Sequence, residues 1–224
     1  MEITPASVLA MWAAGIAGGS ALVSWWGIVG RGYGWLSGGT ALLFGVPAAL
    51  SGGSAWAVAG CVLAGLAMLL RGNVASAAFG LSAAAFAVAA TFDGGVVASL
   101  TGAVLLGAVT VEMMLGHWFL VDPRLPRWSL RRLDLIAGGG AVLDAAVLVW
   151  LGAIPWAAGD AAAGVGYLAL VAITLLLIAA VWSSLGEEGY PAVMAATGLS
   201  YLAVLTSIGA AVLGRLLAGG AVLS

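Results

Sequence analysis

The sequence predicts an all-helical, polytopic transmembrane bundle of about eight spans, occupying residues 1–224 as a single integral membrane domain. Three observations carry this expectation. The 224 residues are 63% hydrophobic and 7% charged, against roughly 25% charged in an ordinary soluble domain, so polar surface is too scarce to face water on all sides. Mean hydropathy is +1.17. The apolar runs are near-continuous and rich in Ala, Leu and Gly, without the alternation over strands of about ten residues that a β-barrel requires. Since lipid accommodates only helices and closed barrels, helices remain.

A span takes about 20 residues. The first, 6–29, follows Met1-Glu2-Ile3-Thr4-Pro5, which lacks the cationic stretch of a secretory signal and is therefore expected to be retained. The second, third and fourth, 35–51, 54–71 and 74–92, are short. Ser51-Gly52-Gly53 separates the second from the third and Phe92-Asp93-Gly94-Gly95 the fourth from the fifth, both on one side, and both read as tight turns through glycine. The fifth covers 95–120, the sixth 132–154, the seventh 161–184 and the eighth 191–215. If 35–51 fails to cross, seven spans result.

Charge orders these spans. Arg31, Arg71 and the cluster Arg124, Arg127, Arg131 and Arg132 fall in the first, third and fifth connections, while Asp93 and Asp160 fall on the opposite face. Positive charge marks the cytoplasmic side, so both termini are expected outside, in a bacterial inner membrane. Glu187 and Glu188 then lie inside, where acidic residues weigh little; Arg215, at the end of the last span, runs against the pattern. Trp25, Trp26, Trp35, Trp118, Trp128 and Trp182 fall near the basic boundary, and Trp56, Trp150 and Trp156 near the other, with Trp12 slightly deeper. That is the distribution of an interfacial aromatic belt.

Small residues one helical turn apart, which allow close helix approach in lipid, occur at Gly15/Gly19, Gly30/Gly34, Gly60/Ala64 and Ala137/Ala141. Gly138-Gly139-Gly140 is a candidate loosening of the sixth span. Arg31-Gly32 and Arg71-Gly72, 40 residues apart, hint at a duplicated helical hairpin.

Composition excludes several chemistries. All seven basic residues are Arg, so no lysine Schiff base or lysine catalysis is available. A net charge of −2 without a basic stripe outside the 124–132 loop excludes a nucleic-acid partner. Cys61 is alone and reads as a small buried hydrophobe. One histidine cannot form a bis-His haem site, no metal-ligand spacing is visible, and no serine lies in a nucleophile motif.

An intramembrane carboxylate is a functional candidate by default, which singles out Glu112 and Asp144, with His117 and Asp134 near a boundary. Glu112 and His117 are five residues apart, about 140° around a helix, and do not share a face. Asp144 lies near mid-depth on a stripe with Ala137, Gly140, Ala141 and Leu148. It reads either as a proton, quinone or ion contact or as a protonated carboxyl held by a neighbouring Ser, Thr or carbonyl. The segment Gly116–Trp128 followed by Arg131 and Arg132 is a stiff, proline-containing corner. Its arginines, Arg124, Arg127, Arg131 and Arg132, read as topology determinants or as a dock for anionic lipid or partner subunits. His117 beside them reads as a hydrogen-bond partner to a quinone carbonyl.

Gly116-His117-Trp118-Phe119-Leu120, with the following Asp-Pro and Arg cluster, resembles a stretch of uncharacterised multi-pass bacterial membrane proteins; Ala196-Thr197-Gly198-Leu199-Ser200-Tyr201 is similar to theirs as well. Ala14-Gly15-Ile16-Ala17-Gly18-Gly19-Ser20 resembles the opening of eight-helix quinol-oxidising anchor subunits of bacterial respiratory oxidoreductases. The expectation is a non-haem membrane subunit of a respiratory or other energy-converting complex, bracing partner subunits and contributing to a quinone or proton site through Glu112, His117 and Asp144. The alternative is a small transporter or channel using Asp144 and Glu112.

Overall fold

The computed structural model describes residues 4–154 and 161–221. Eight helices follow one another: α1 (Pro5–Trp25), α2 (Arg31–Gly52), α3 (Ala55–Leu69), α4 (Gly72–Gly94), α5 (Val96–Val121), α6 (Arg127–Trp150), α7 (Ala161–Ser184) and α8 (Tyr190–Ala221). No strand occurs among the described residues. Six helices are long and apolar enough to cross a membrane. Of the other two, α3 has 15 residues and α2 has 22, so α2 has the length to cross and α3 is short.

Both nevertheless run from one end of the bundle to the other. Ala6 at the start of α1 meets Gly52 at the end of α2, and one cavity there is bordered by Ser7, Gly52, Ala55 and Phe92. At the other end, a second cavity gathers Ser24, Arg31, Leu70 and Arg71. Helix α2 thus traverses the bundle like its neighbours, consistent with about eight spans, although it is not among the six helices apolar enough to be candidate crossings. The turns work as expected of glycine: Gly53, at φ +60°, caps α2 by donating its N–H to the Ala49 carbonyl at 3.1 Å, and Gly95, at φ +71°, separates α4 from α5. A left-handed backbone is inexpensive only for glycine.

Helix α5 is the axis of the molecule, packing on α1, α4, α6 and α8. Its contact with α1 is backbone to backbone. A β-carbon on Gly15 would collide with the Ala103 carbonyl and the Gly107 backbone, and one on Gly19 would stand 2.8 Å from Val111. Trp12 of α1 reinforces this contact, donating its indole N–H to Thr110 Oγ1 at 2.9 Å and stacking on Phe44. Ala137 and Ala141 of α6 are buried, and Gly140 lies against the Leu105 backbone. Gly60 seats Phe86, and Ala64 is buried beside it. Gly30/Gly34 is the exception, because nothing approaches either position. The outer surface presents Leu50, Val62, Leu205 and many similar side chains, as expected of a bundle whose solvent is lipid.

Two boundaries and one helix interior differ from the sequence reading in ways that bear on the site. Helix α6 starts at Arg127 instead of 132, absorbing most of the arginine cluster into its first turns. It then runs unbroken through Gly138–Gly140, whose expected loosening is absent because Gly138 and Gly140 face neighbours and the i→i−4 ladder continues. Helix α8 continues past 215 to Ala221. Trp156, Asp160 and the Asp93 side chain lie outside the described residues.

Candidate functional site

The buried polar residues fall into two groups at different depths. Toward the end where α5 begins, α6 and α8 each bring one charge to the α5 backbone. Asp144 and Arg215 are 1% and 3% exposed and form a bidentate ion pair, the only one among the described residues. Arg215 Nη1 donates to Asp144 Oδ2 at 2.7 Å, and Nη2 donates to Oδ1 and, at 2.6 Å, to the Ala98 carbonyl. Thr101 Oγ1 donates to Asp144 Oδ1 at 2.6 Å. The guanidinium lies over Gly102, where a β-carbon would strike it. Burying both charges is costly unless the pair is close and its remaining lone pairs are satisfied; the fork geometry of arginine meets that condition. Two polar atoms stay without partners, Arg215 Nε and the hydroxyl of Tyr167, which is buried within electrostatic reach of both charges.

Arg215 was missed as a site residue because the sequence reading ended the last span on it. The available signal was the apolar run Leu216-Leu217-Ala218, which continues the helix and carries the guanidinium into the bundle. Pairing also removes the exception it made to the charge pattern: the other six arginines lie in or beside the α1–α2, α3–α4 and α5–α6 connections. Asp144 is six residues from the end of α6, about 9 Å of rise, and so sits closer to that end than the mid-depth expected of it.

The second group lies toward the arginine-rich end. Glu112 of α5 is 3% exposed, Asp134 of α6 is 2% exposed, and the two are close enough to interact through their charges. Ser200 of α8 is the side-chain hydrogen-bond partner of Glu112. Its own hydroxyl proton goes to the Ala196 carbonyl at 2.8 Å. Glu112 Oε1 has no hydrogen-bond partner. No arginine forms an ion pair with either carboxyl among the described residues. Helix periodicity explains the juxtaposition: α5 and α6 are antiparallel neighbours, so Thr101 opposite Asp144 places Glu112 opposite Asp134.

The structure does not gather Glu112, His117 and Asp144 into one site. His117 is exposed at the rim, one and a half turns beyond Glu112, and Asp134 and Asp144 stand ten residues apart on α6, about 15 Å of rise. The residue that does join Glu112 is Asp134.

The arginine corner is largely occupied with holding the chain. Arg127 donates to the carbonyls of Glu187 and Gly189, the latter at 2.6 Å, tying the start of α6 to the α7–α8 connection. Arg131 lies over the Trp182 ring at 5.0 Å and Arg132 over Trp128 at 4.7 Å. Arg124 and Arg132 are exposed. Comparison with protein-family models, with curated proteins and with solved structures gives no match.

Proposed function

We propose that this membrane-embedded bundle is the non-haem membrane subunit of a bacterial respiratory or other energy-converting complex, with Glu112 and Asp134 as its proton site. The chain would sit in the inner membrane with its amino terminus outside, the orientation that places six of its arginines on the cytoplasmic face. The observation that carries the reading is the pairing of two buried carboxyls on adjacent helices without a cation. Two buried carboxyls within electrostatic reach of each other disfavour double ionisation, so this is where a proton would be held. Ser200, the hydrogen-bond partner of Glu112, would relay that proton, and Glu112 Oε1, buried without a hydrogen-bond partner, would take it up. His117, exposed at the rim, is the candidate link to the cytoplasmic side and the candidate hydrogen-bond partner of a quinone carbonyl. Exposed Arg124 and Arg132 are the part of the corner left for partner subunits or anionic lipid.

The test is extraction in mild detergent, with identification of copurifying chains and a redox spectrum, followed by Glu112→Gln in the isolated assembly. Redox-active partner chains are expected to copurify. Redox-linked proton translocation should fall at least about tenfold in the variant, the scale of a lost proton-transfer group, while thermal stability stays close to wild type because the substitution is isosteric. Undiminished translocation would remove Glu112 from the pathway, and a lone, colourless protein would remove the complex.

A second reading, a small transporter or channel, is favoured by the two acidic stations lying at different depths of α6. Liposome flux in wild type and Asp144→Asn separates it from the first. Equal flux in both leaves that reading without its outer station.

A further inference from the structure

The two Arg-Gly pairs that stand 40 residues apart in the sequence come together in space. Arg31 opens α2 and Arg71 is the N-cap of α4. Both side chains border one cavity of about 410 Å³ between the α1–α2 and α3–α4 connections. Both arginines are exposed, and the one ion pair among the described residues uses neither. The acids described at this end, Asp122, Glu187 and Glu188, belong to the α5–α6 and α7–α8 connections. The cavity thus has two guanidinium groups, no carboxylate among its lining residues, and a Ser24 hydroxyl on its wall. Its remaining border is apolar, with Val29, Leu70 and Phe79, and Leu69 and Val74 are exposed beside it on the lipid-facing surface.

We propose that this cavity binds the phosphodiester of an anionic phospholipid, with Arg31 and Arg71 forking its phosphate oxygens and the acyl chains leaving along the apolar border. Arginine pairs match phosphate in geometry as well as charge. A soluble phosphate compound would share the head-group contact, but it would gain nothing from an apolar wall at the membrane boundary. The uncapped first turns of α2 and α4 add potential of the same sign. The site is separate from the Glu112–Asp134 pair and does not depend on the function proposed for it.

The experiment is native mass spectrometry of the delipidated full chain in detergent, titrated with dioctanoyl phosphatidylglycerol and, separately, dioctanoyl phosphatidylcholine. The wild type should retain phosphatidylglycerol preferentially. Retention should fall about tenfold for each arginine removed in Arg31→Gln and Arg71→Gln, the scale of a lost charge-assisted hydrogen bond. The Arg31→Lys/Arg71→Lys variant keeps the charge that orients the chain and loses the fork. It should show an intermediate loss, which separates binding from misinsertion. Glu188→Gln, an exposed substitution at the same rim, should retain the lipid as wild type does. Equal retention by wild type and Arg31→Gln/Arg71→Gln would overturn the site, as would equal affinity for both lipids. Displacement of the lipid by inorganic phosphate alone would overturn the lipid assignment in favour of a soluble phosphate compound.

Discussion

Asp144→Ala is expected to destabilise the bundle by about 3–5 kcal/mol, because it leaves the Arg215 guanidinium buried without its anion. Thr101 loses the shorter of its two acceptors and keeps the Ala98 carbonyl at 3.2 Å, the same carbonyl that alone remains to receive Nη2. The informative comparison is the double variant Asp144→Leu/Arg215→Met, which removes both charges and restores apolar volume. It should recover to within about 1 kcal/mol of wild type, since a buried ion pair and a well-packed apolar replacement are often close in net energy. Thermal unfolding in mild detergent, read by far-ultraviolet circular dichroism, measures both. If the single variant costs less than about 1 kcal/mol, or if the double variant is as unstable as the single, then the pair does not hold α6 and α8 to α5 in the way described.

The second large effect is expected at the crossing of α1 and α5. Gly15→Val places a branched side chain where even one β-carbon meets the Ala103 carbonyl and the Gly107 backbone. Neither obstacle is a flexible side-chain end, so relief requires the helices to separate. Separation would also strain the Trp12–Thr110 hydrogen bond, which spans the same interface. A loss of about 3 kcal/mol or more follows, at the upper end of overpacking costs, with extraction yield falling in parallel. Gly34→Ala is the control. It lies in α2 with nothing within 4 Å, and should be neutral or slightly stabilising because alanine is the better helix former. A normal melt for Gly15→Val, or an equal loss at both positions, would show that close approach at Gly15 is not what limits stability.

That pair of glycines illustrates what spacing alone conveys. Gly15/Gly19 and Gly30/Gly34 have the same sequence signature, yet one seats a neighbouring helix and the other faces open space. A small-residue repeat states that close approach is permitted; the partner helix decides whether it occurs. The carboxyls follow the same logic. Glu112 and Asp144 were legible as intramembrane acids because charge is rare in an apolar run, but their partners were not. Asp134 was read as a boundary residue, and Arg215 as a helix end. Asp134 lies inside because α6 starts five residues earlier than expected, and Arg215 because α8 continues beyond it.

The arginine corner shows the reverse. Four basic residues close together in sequence suggested one shared dock, but an exposed cluster on a helical first turn points in several directions. Arg127 turns to the α7–α8 carbonyls, while Arg131 and Arg132 turn to different tryptophans. Arg31 and Arg71, far apart in sequence, border the same cavity instead.

By itself the sequence determined that the protein is a helical bundle with lipid as its solvent, how many helices it has, and at which end most of its positive charge collects. These properties follow from local quantities: apolar run length, turn residues and the scarcity of charge. Only the tertiary structure decided which helix faces meet, that Asp144 is neutralised by Arg215 while Glu112 and Asp134 are buried within electrostatic reach of each other and without an ion-pair partner among the described residues, and that two distant arginines border one cavity. These depend on the azimuth and register of one helix against another. A single side chain's position around a helix is known modulo about 100° per residue from sequence, but what stands opposite it is fixed only when the whole bundle packs.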